Sequence, residues 1–202
     1  MQLVGPWLSG FTRRVGITLK LLDIPFEHLP FHAYLQKEEV RRYNPMGKVP
    51  ALVLDDGEIV FDSGSIIDHL YEMVGSERAL LSPSGAARRQ ALRLSAIGDA
   101  VYNKLTGVLL ESMRPPGLRV HEISDEFMEQ ALTGLGLIEQ EAGEGWLVAN
   151  RLGHADVMSV VIYQTAQFVM PEKVTASDLP KLDALTQRAM RIDAFSSTAP
   201  SQ

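Results

Sequence analysis

Hydrophobic positions in the first third of the chain follow two different periods. Short apolar or alternating runs at residues 3–4 and 26–31 are typical of strands, whereas apolar side chains over residues 11–22 recur at the spacing of one helical face. The pattern predicts a strand, a helix and a second strand in that order.

The next segment predicts a hairpin followed by a helix. A polar, irregular helix is expected at residues 35–43. Two apolar runs, 51–54 and 58–61, flank Asp55-Asp56-Gly57, whose residue types supply the backbone angles of a tight turn. Residues 66–74 then repeat on one helical face that ends at Gly75. The order over residues 1–76 is βαβ followed by ββα.

Beyond a Gly-, Ser- and Pro-rich linker, placed at residues 77–84, every apolar pattern is helical. Helices are predicted at 94–109, 123–138, 157–169 and 179–191, and the third should be central because it is apolar on nearly every side. Residues 85–202 are therefore expected to form an all-helical domain. Its small, polar tail from Ser196 is expected to fray.

The amino-acid composition excludes some classes of partner and reaction. The 202 residues are 46% hydrophobic and 22% charged, with a formal net charge of −6 and scattered basic residues. Nucleic acid is not expected as a partner, since phosphate binding needs a clustered positive face. There are no cysteines, which excludes redox or covalent chemistry through a protein thiol. Any reacting sulfur must be brought in by a ligand.

Targeting and metal signals are missing from the sequence. The amino terminus has no basic and apolar leader pattern, and the nearly uncharged run 157–171 is too short to cross a bilayer, so we expect a cytoplasmic protein with no membrane partner. His28 and His32 are four residues apart, but Pro30 between them prevents a shared helical face. No metal site is predicted.

Val49-Pro50 is the first candidate for ligand binding. Proline cannot donate to a sheet ladder, so at the start of an apolar strand it suits either a strand beginning or a cis turn. A cis bond would turn the Val49 amide and carbonyl outward, where an extended peptide could pair with them as a strand. An ordinary trans proline remains the alternative.

Two helix starts carry the other candidates. Asp62-Ser63 stands between a strand and a helix, where a carboxylate, a hydroxyl and free amides can gather a ligand carboxylate and ammonium. Ser9 stands between the first strand and helix, with its hydroxyl at a helix amino terminus. Plain helix capping remains the alternative at both places.

The order and spacing of these signals resemble the cytosolic glutathione transferases. The motif Asn44-Pro45-Met46-Gly47-Lys48-Val49-Pro50 lies at the centre of the resemblance. The other segments that carry it are residues 3–15, 61–66, 145–147 and 152–156. The resemblance spans residues 1 to about 190 and implies a thioredoxin-like amino-terminal domain followed by a helical bundle, an α/β plus all-α fold.

The same resemblance implies a glutathione site. Val49, next to Pro50, would pair through its backbone with the cysteinyl part, and Asp62 with Ser63 would hold the γ-glutamyl end. Lys48 or Lys37 would hold the glycyl carboxylate. The hydroxyl of Ser9 would donate a hydrogen bond to the sulfur, as in serine-type members. Glutathione would be a co-substrate rather than a resident cofactor.

The implied reaction is attack of the glutathione thiolate on a small hydrophobic electrophile, or on a peroxide, in a second pocket between the domains. The residues expected there are Trp7, Phe11, Tyr102 and Thr106, with ordinary core packing as the alternative. Family members usually form symmetric dimers, so a homodimer is expected. Gly10 and Gly64 depart from the family pattern and loosen the loops around the site.

Two alternatives compete with a transferase. One is a non-catalytic module of the same fold that binds glutathione or a protein, which the two unusual glycines favour. The other is an isomerase of the serine-type branch, which is disfavoured because Leu8-Ser9-Gly10-Phe11 replaces the Ser-Ser-Cys signature of those enzymes. In the helical part, Gly153 stands where the family usually has Ser or Thr, yet Asp156 should still bond the Gly153 amide.

Overall fold

The structure is a computed structural model, and it describes residues 1–200. Its contacts divide the chain into two compact units. The first comprises Met1–Pro83 together with the segment that begins at Met190, and the second is Ser84–Ala189. The domain boundaries that the sequence predicts, residues 1–76 and 85–202 with a linker at 77–84, stay a prediction. Nothing in the sequence pattern indicated that the carboxyl-terminal segment returns to the first unit.

A four-stranded mixed sheet forms the centre of the first unit. In spatial order β2-β1-β3-β4, its strands are Glu27–Leu29, Gln2–Val4, Ala51–Val53 and Ile59–Val60. β1 runs parallel to β2 and antiparallel to β3, and β3 pairs antiparallel with β4. Val4 at the end of β1 lies opposite Ala51 at the start of β3. This register brings the loop before β3 beside the turn after β1.

Four helices complete the first unit: α1 Gly10–Leu21, α2 Lys37–Arg41, α3 Ser63–Val74 and α8 Asp193–Ser196. α1 and α3 contact each other and the sheet, and their apolar faces close a core that includes Leu3, Ile17 and Ile66, all fully buried. The predicted thioredoxin-like βαβ–ββα fold is confirmed. Strand β2 is shorter than the alternation at 26–31 suggested.

The second unit is a bundle of four helices: α4 Gly85–Ser112, α5 His121–Glu141, α6 His154–Val169 and α7 Pro180–Ala189. A single 3-10 turn, Pro116–Leu118, follows α4. Most of α6 is buried, as its uniformly apolar sequence predicted. α4 packs on both α5 and α6, and Gly98 lets α6 approach closely, because an added Cβ there would lie 2.6 Å from the Met158 Cγ. The predicted helical bundle is confirmed.

The carboxyl-terminal segment packs on α1 rather than extending into solvent. Phe195 is fully buried, and its carbonyl accepts a hydrogen bond of 3.3 Å from the buried guanidinium of Arg13. Thr198 is also buried and donates to the Ala194 carbonyl over 2.9 Å. The prediction that the tail from Ser196 frays is therefore wrong for Thr198, and positions 201–202 lie outside the described residues.

No helix within residues 1–200 combines the length and the apolar composition that a membrane span requires.

Candidate functional site

Ser9 caps the first helix from the turn that leaves β1. Its backbone is extended, as an N-cap requires, and its Oγ accepts a 3.4 Å hydrogen bond from the Thr12 amide. The side chain is half-buried. A hydroxyl that accepts in this way keeps its own proton, and residues 1–200 offer that proton no acceptor. Capping and donation to a ligand are thus compatible at Ser9.

The backbone of Val49 lies at the open end of the sheet. The Val49–Pro50 peptide bond is cis, Pro50 is buried, and β3 starts at Ala51. Within the part of the chain that the structure describes, neither the amide nor the carbonyl of Val49 has a hydrogen-bond partner. Val49 can therefore pair with an added extended segment.

Gly5 makes the close approach to Val49 possible. Its φ is +130°, and a Cβ added there would lie 2.9 Å from the Val49 Cβ and would collide with the Thr12 hydroxyl. Only glycine suits both this backbone angle and this space. The turn after β1, the first turn of α1 and the Val49 loop are thereby held together.

Asp62 and Ser63 form the amino terminus of α3. Asp62 is exposed and caps the helix, since its Oδ1 accepts from the Gly64 amide at 2.9 Å and the Ser65 amide at 3.3 Å. Among the described residues nothing accepts from the Ser63 amide, and the second carboxylate oxygen of Asp62 has no donor. The helix start offers a free N–H next to a free carboxylate oxygen.

Arg14 joins α1 to this helix start. Its Nε and Nη2 donate to the Ser63 Oγ over 3.1 and 2.7 Å, and both residues are buried. The guanidinium also lies 5.1 Å from the centre of the Phe11 ring. Burial raises the pKa of the neighbouring Tyr71, and the Arg14 charge opposes that rise. The sequence motif included Arg14 without giving it a function, and no spacing in the sequence pointed to its contact with Ser63, 49 positions away.

Lys48 and Lys37 are the two candidate cations. Both are exposed, and neither has an ion pair or hydrogen bond within residues 1–200. Lys48 precedes Val49 directly, whereas Lys37 is the first residue of α2. α2 adjoins the Lys48 loop, because Arg41 comes within 3.7 Å of a Cβ position at Gly47. Either lysine can thus carry its charge near the Val49 loop.

The four residues expected in an electrophile pocket differ in their packing partners. The Trp7 ring stacks on His28 at a centroid distance of 3.7 Å, and it fills the space left by Gly16. Phe11 is half-buried beneath Arg14. Tyr102 and Thr106 are half-buried on α4, where the Thr106 hydroxyl donates to the Tyr102 carbonyl. Much of the Trp7 surface is therefore engaged in packing within the first unit.

In the second unit, Asp156 ties the start of α6 to the segment before it. Its carboxylate accepts from the Gly153 amide and the Leu147 amide, each at 2.8 Å, so the predicted bond to Gly153 is confirmed. Burial raises the pKa of Asp156 to about 6, and the two amide hydrogen bonds oppose this rise. Because the N-cap residue Gly153 has no side chain, the Asp156 carboxylate is the only side-chain group of the predicted capping box.

Within residues 1–200, no three His, Asp or Glu side chains come together in a way that could hold a metal ion. His28, one of the two histidines considered from the sequence, bonds through Nε2 to the Gly5 carbonyl at 2.7 Å.

Known sequences similar to this chain point to one family. Residues 3–78 match the glutathione S-transferase N-terminal domain. A maleylacetoacetate isomerase of Pseudomonas aeruginosa is 30% identical over 167 residues, which cover 79% of this chain and 78% of that protein. The GST-like protein YibF of Escherichia coli is 25% identical over 200 residues, 99% of this chain and 98% of its own.

Solved structures show the same fold over the whole chain. A glutathione S-transferase of Methylobacterium radiotolerans, in complex with glutathione sulfonate, superposes with a TM-score of 0.92 at 23% identity and covers 100% of this chain and 95% of its own. A Methylobacillus flagellatus glutathione S-transferase with GSH bound gives 0.91 at 23% identity, with 99% of each chain covered. Together with the sequence matches and the mixed sheet followed by a helical bundle, these likenesses show that the chain belongs to the glutathione S-transferase family.

Proposed function

We propose that the chain is a glutathione-dependent enzyme that binds glutathione on its first unit and uses the bound thiol as a nucleophile. The observation that carries the proposal is the free backbone of Val49 beside β3, since a peptide ligand can add there as a further strand. The family relationship and the glutathione complexes of the two similar solved structures support it.

The γ-glutamyl end would lie at the start of α3. Its ammonium would meet the free carboxylate oxygen of Asp62, and its α-carboxylate would accept from the Ser63 amide and hydroxyl. The cysteinyl part would pair with both backbone groups of Val49. The Ser63 oxygen accepts from Arg14, but its proton has no acceptor within residues 1–200, and the other groups used here have no partner there.

The glycyl carboxylate would be held by a lysine, and we favour Lys48 over Lys37 because it adjoins the Val49 strand position. Separate Lys48→Ala and Lys37→Ala variants test this choice. The assignment predicts weaker glutathione binding in the first variant and unchanged binding in the second. The reverse result assigns the carboxylate to Lys37.

Ser9 would prepare the sulfur for attack. A free thiol has a pKa of about 8.5, so at neutral pH it is mostly protonated. The Ser9 hydroxyl and the amino terminus of α1 both stabilise the thiolate, and each pKa unit of lowering corresponds to about 1.4 kcal/mol. The thiolate then forms a carbon–sulfur bond with an electrophilic carbon, whose leaving group or π-electron pair takes up the negative charge.

The nature of the electrophile is a separate proposal. We propose that Phe11, which is half-buried, contacts a small hydrophobic molecule, and that Trp7 contributes only the part of its ring that His28 and Gly16 leave uncovered. For Tyr102 and Thr106, which are half-buried on α4, contact with that molecule stays a prediction from the family resemblance. A peroxide in place of a carbon electrophile would be reduced by the same thiolate: the sulfur takes one oxygen as the O–O bond breaks, the other oxygen leaves as an alcohol, and a second glutathione converts the resulting sulfenic acid to glutathione disulfide and water. We also propose a homodimer, on the basis of the family alone.

A second enzymatic candidate comes from the relatives. The Pseudomonas aeruginosa protein that is 30% identical is named maleylacetoacetate isomerase, and the Caenorhabditis elegans relative carries the same name with "probable". Against this, Leu8-Ser9-Gly10 lacks the signature expected of such enzymes. The two reactions differ chemically: conjugation consumes glutathione, whereas isomerisation releases it again at the end of each turnover.

Conjugation of glutathione to an activated aryl halide, followed in wild type and Ser9→Ala, tests the proposed chemistry. We expect the kcat of the variant to fall while glutathione still binds, because Ser9 is assigned to the sulfur alone. Unchanged conjugation in Ser9→Ala would remove the function given to Ser9. Glutathione binding with no turnover of any electrophile would favour the non-catalytic module instead.

A further inference from the structure

The hydroxyl of Ser63 has an unusual hydrogen-bond environment. Its oxygen receives two donors from a single guanidinium, Arg14 Nε at 3.1 Å and Nη2 at 2.7 Å. A serine hydroxyl has two lone pairs and one proton. Both N–H groups come from one edge of the guanidinium and reach the oxygen from the same side, so the hydroxyl proton must point away from Arg14.

The position of Ser63 at the start of α3 indicates where its hydroxyl proton points. Only 3% of Ser63 is exposed, and Ser63 is the first residue of α3, where the backbone amide has no partner within residues 1–200. The oxygen accepts from the protein side, so the O–H and the N–H of Ser63 are both left for a ligand at the open helix end. One group that accepts two such donors at once is a carboxylate.

We infer that Arg14 is a positioning residue that fixes the Ser63 hydroxyl as a donor and so makes the start of α3 selective for a ligand carboxylate. The inference rests on the proposed glutathione function, in which the ligand group is the α-carboxylate of the γ-glutamyl end. Arg14 acts through Ser63 and does not itself contact the ligand.

The surroundings of Arg14 favour this function over a plain link between two helices. Its side chain is only 5% exposed and is packed against Phe11, so the guanidinium is held in one place. A rigid planar guanidinium holds two N–H donors on one side of the Ser63 oxygen, a geometry that the flexible ammonium of a lysine at the same position does not fix. A link serving stability alone would not need the hydroxyl proton of Ser63 to be left without an acceptor within residues 1–200.

The test uses two ligands that differ only at the group in question. One is glutathione, and the other is its analogue in which hydrogen replaces the α-carboxylate of the γ-glutamyl residue. Calorimetric titration measures the Kd of each for wild type, Arg14→Gln, Ser63→Ala and the double variant. Arg89→Gln, the same change at an exposed position of α4, is the matched control.

For wild type we expect glutathione to bind about a hundredfold more tightly than the analogue, because the carboxylate accepts two hydrogen bonds, from the N–H and the O–H of Ser63, each worth about tenfold. Arg14→Gln should raise the Kd of glutathione about tenfold and leave the Kd of the analogue unchanged. In the Ser63→Ala background, Arg14→Gln should have no further effect. Arg14→Lys, which keeps the charge and one donor, should recover part of the affinity for glutathione.

Equal weakening of both ligands by Arg14→Gln would show a structural link only and would overturn the inference. So would a Ser63→Ala protein that still discriminates between the ligands as wild type does, a result that needs no Arg14 variant to fold. If wild type binds neither ligand, the proposed glutathione function itself fails. If wild type binds glutathione but Arg14→Gln does not change the Kd, only the function assigned to Arg14 fails.

Discussion

Replacing Asp62 by Asn separates the two tasks that the structure gives to this side chain. Its Oδ1 caps α3 by accepting from the Gly64 and Ser65 amides, at 2.9 and 3.3 Å. Its other oxygen has no donor among residues 1–200 and is the one proposed to meet the ligand ammonium. Asparagine keeps the first oxygen and replaces the second by an amide nitrogen, which cannot accept.

The expected magnitudes differ for the two tasks. Asn and Asp are about equally good N-caps, so the free energy of unfolding should fall only by the lost charge–dipole interaction, about 0.5 kcal/mol. Binding should lose a charge-assisted hydrogen bond to the ammonium and gain a donor facing it. Since the site is exposed to solvent, we expect a loss of about 1.5 kcal/mol, or about a tenfold rise in Kd.

The assay is titration calorimetry with glutathione, combined with urea unfolding of the same preparations. Asp68→Asn is the matched control, because Asp68 lies on the same helix, is exposed and has no partner within residues 1–200. The control should leave both quantities unchanged. A tenfold loss of affinity in the control as well would mean that overall charge, not the Asp62 contact, governs binding.

Either of two results would contradict the two tasks assigned to Asp62. Glutathione binding unchanged in Asp62→Asn would show that this carboxylate does not meet the ammonium. A loss of stability much larger than the loss of binding free energy would show that the charge of Asp62 is needed for the helix start itself, and that capping is its main function.

Three further predictions concern the folded state. Asp156→Ala should lower the free energy of unfolding by about 3 kcal/mol in urea titrations, because a cap is lost and a buried amide is left without a partner, whereas Asp178→Ala, which removes an exposed cap, should cost clearly less. The pKa of Asp156 is about 6 when folded, above its ordinary value of 3.8, so protonation favours the folded state. The stability of wild type relative to Asp156→Ala should therefore rise as the pH falls from about 6 to about 4, and a fall would contradict the assigned pKa. Gly16→Ala should lower the Tm, since its Cβ would lie 2.6 Å from the Trp7 Cη2, whereas Gly136→Ala, with open space around the Cβ, should raise it.

Local periodicity explains why much of the first unit could be predicted. Both β3 and β4 follow from apolar runs around one turn, and α1 and α3 follow from helical repeats with a capping residue in front of each. Ser9 and Asp62 were identifiable for the same reason: a cap is determined by its own neighbours in sequence. These features require no knowledge of what lies opposite them in space.

Partners that are distant in sequence could not be predicted in this way. Arg14 and Ser63 are 49 positions apart, and Arg13 and Phe195 are 182 apart. Nothing in a single sequence states which of two adjacent arginines on α1 turns toward α3 and which toward the carboxyl-terminal segment. The direction of each arginine depends on which face of α1 packs on the sheet, and therefore on the folded structure of the first unit.

We propose that this site binds glutathione and favours its thiolate. Titration of the full chain with glutathione at neutral pH, monitored by the ultraviolet absorbance of the thiolate, tests it most directly. We predict saturable binding with a thiolate signal in wild type, and binding with a much weaker signal in Ser9→Ala. Binding without any thiolate signal would contradict the catalytic part of the claim, and no binding would contradict all of it.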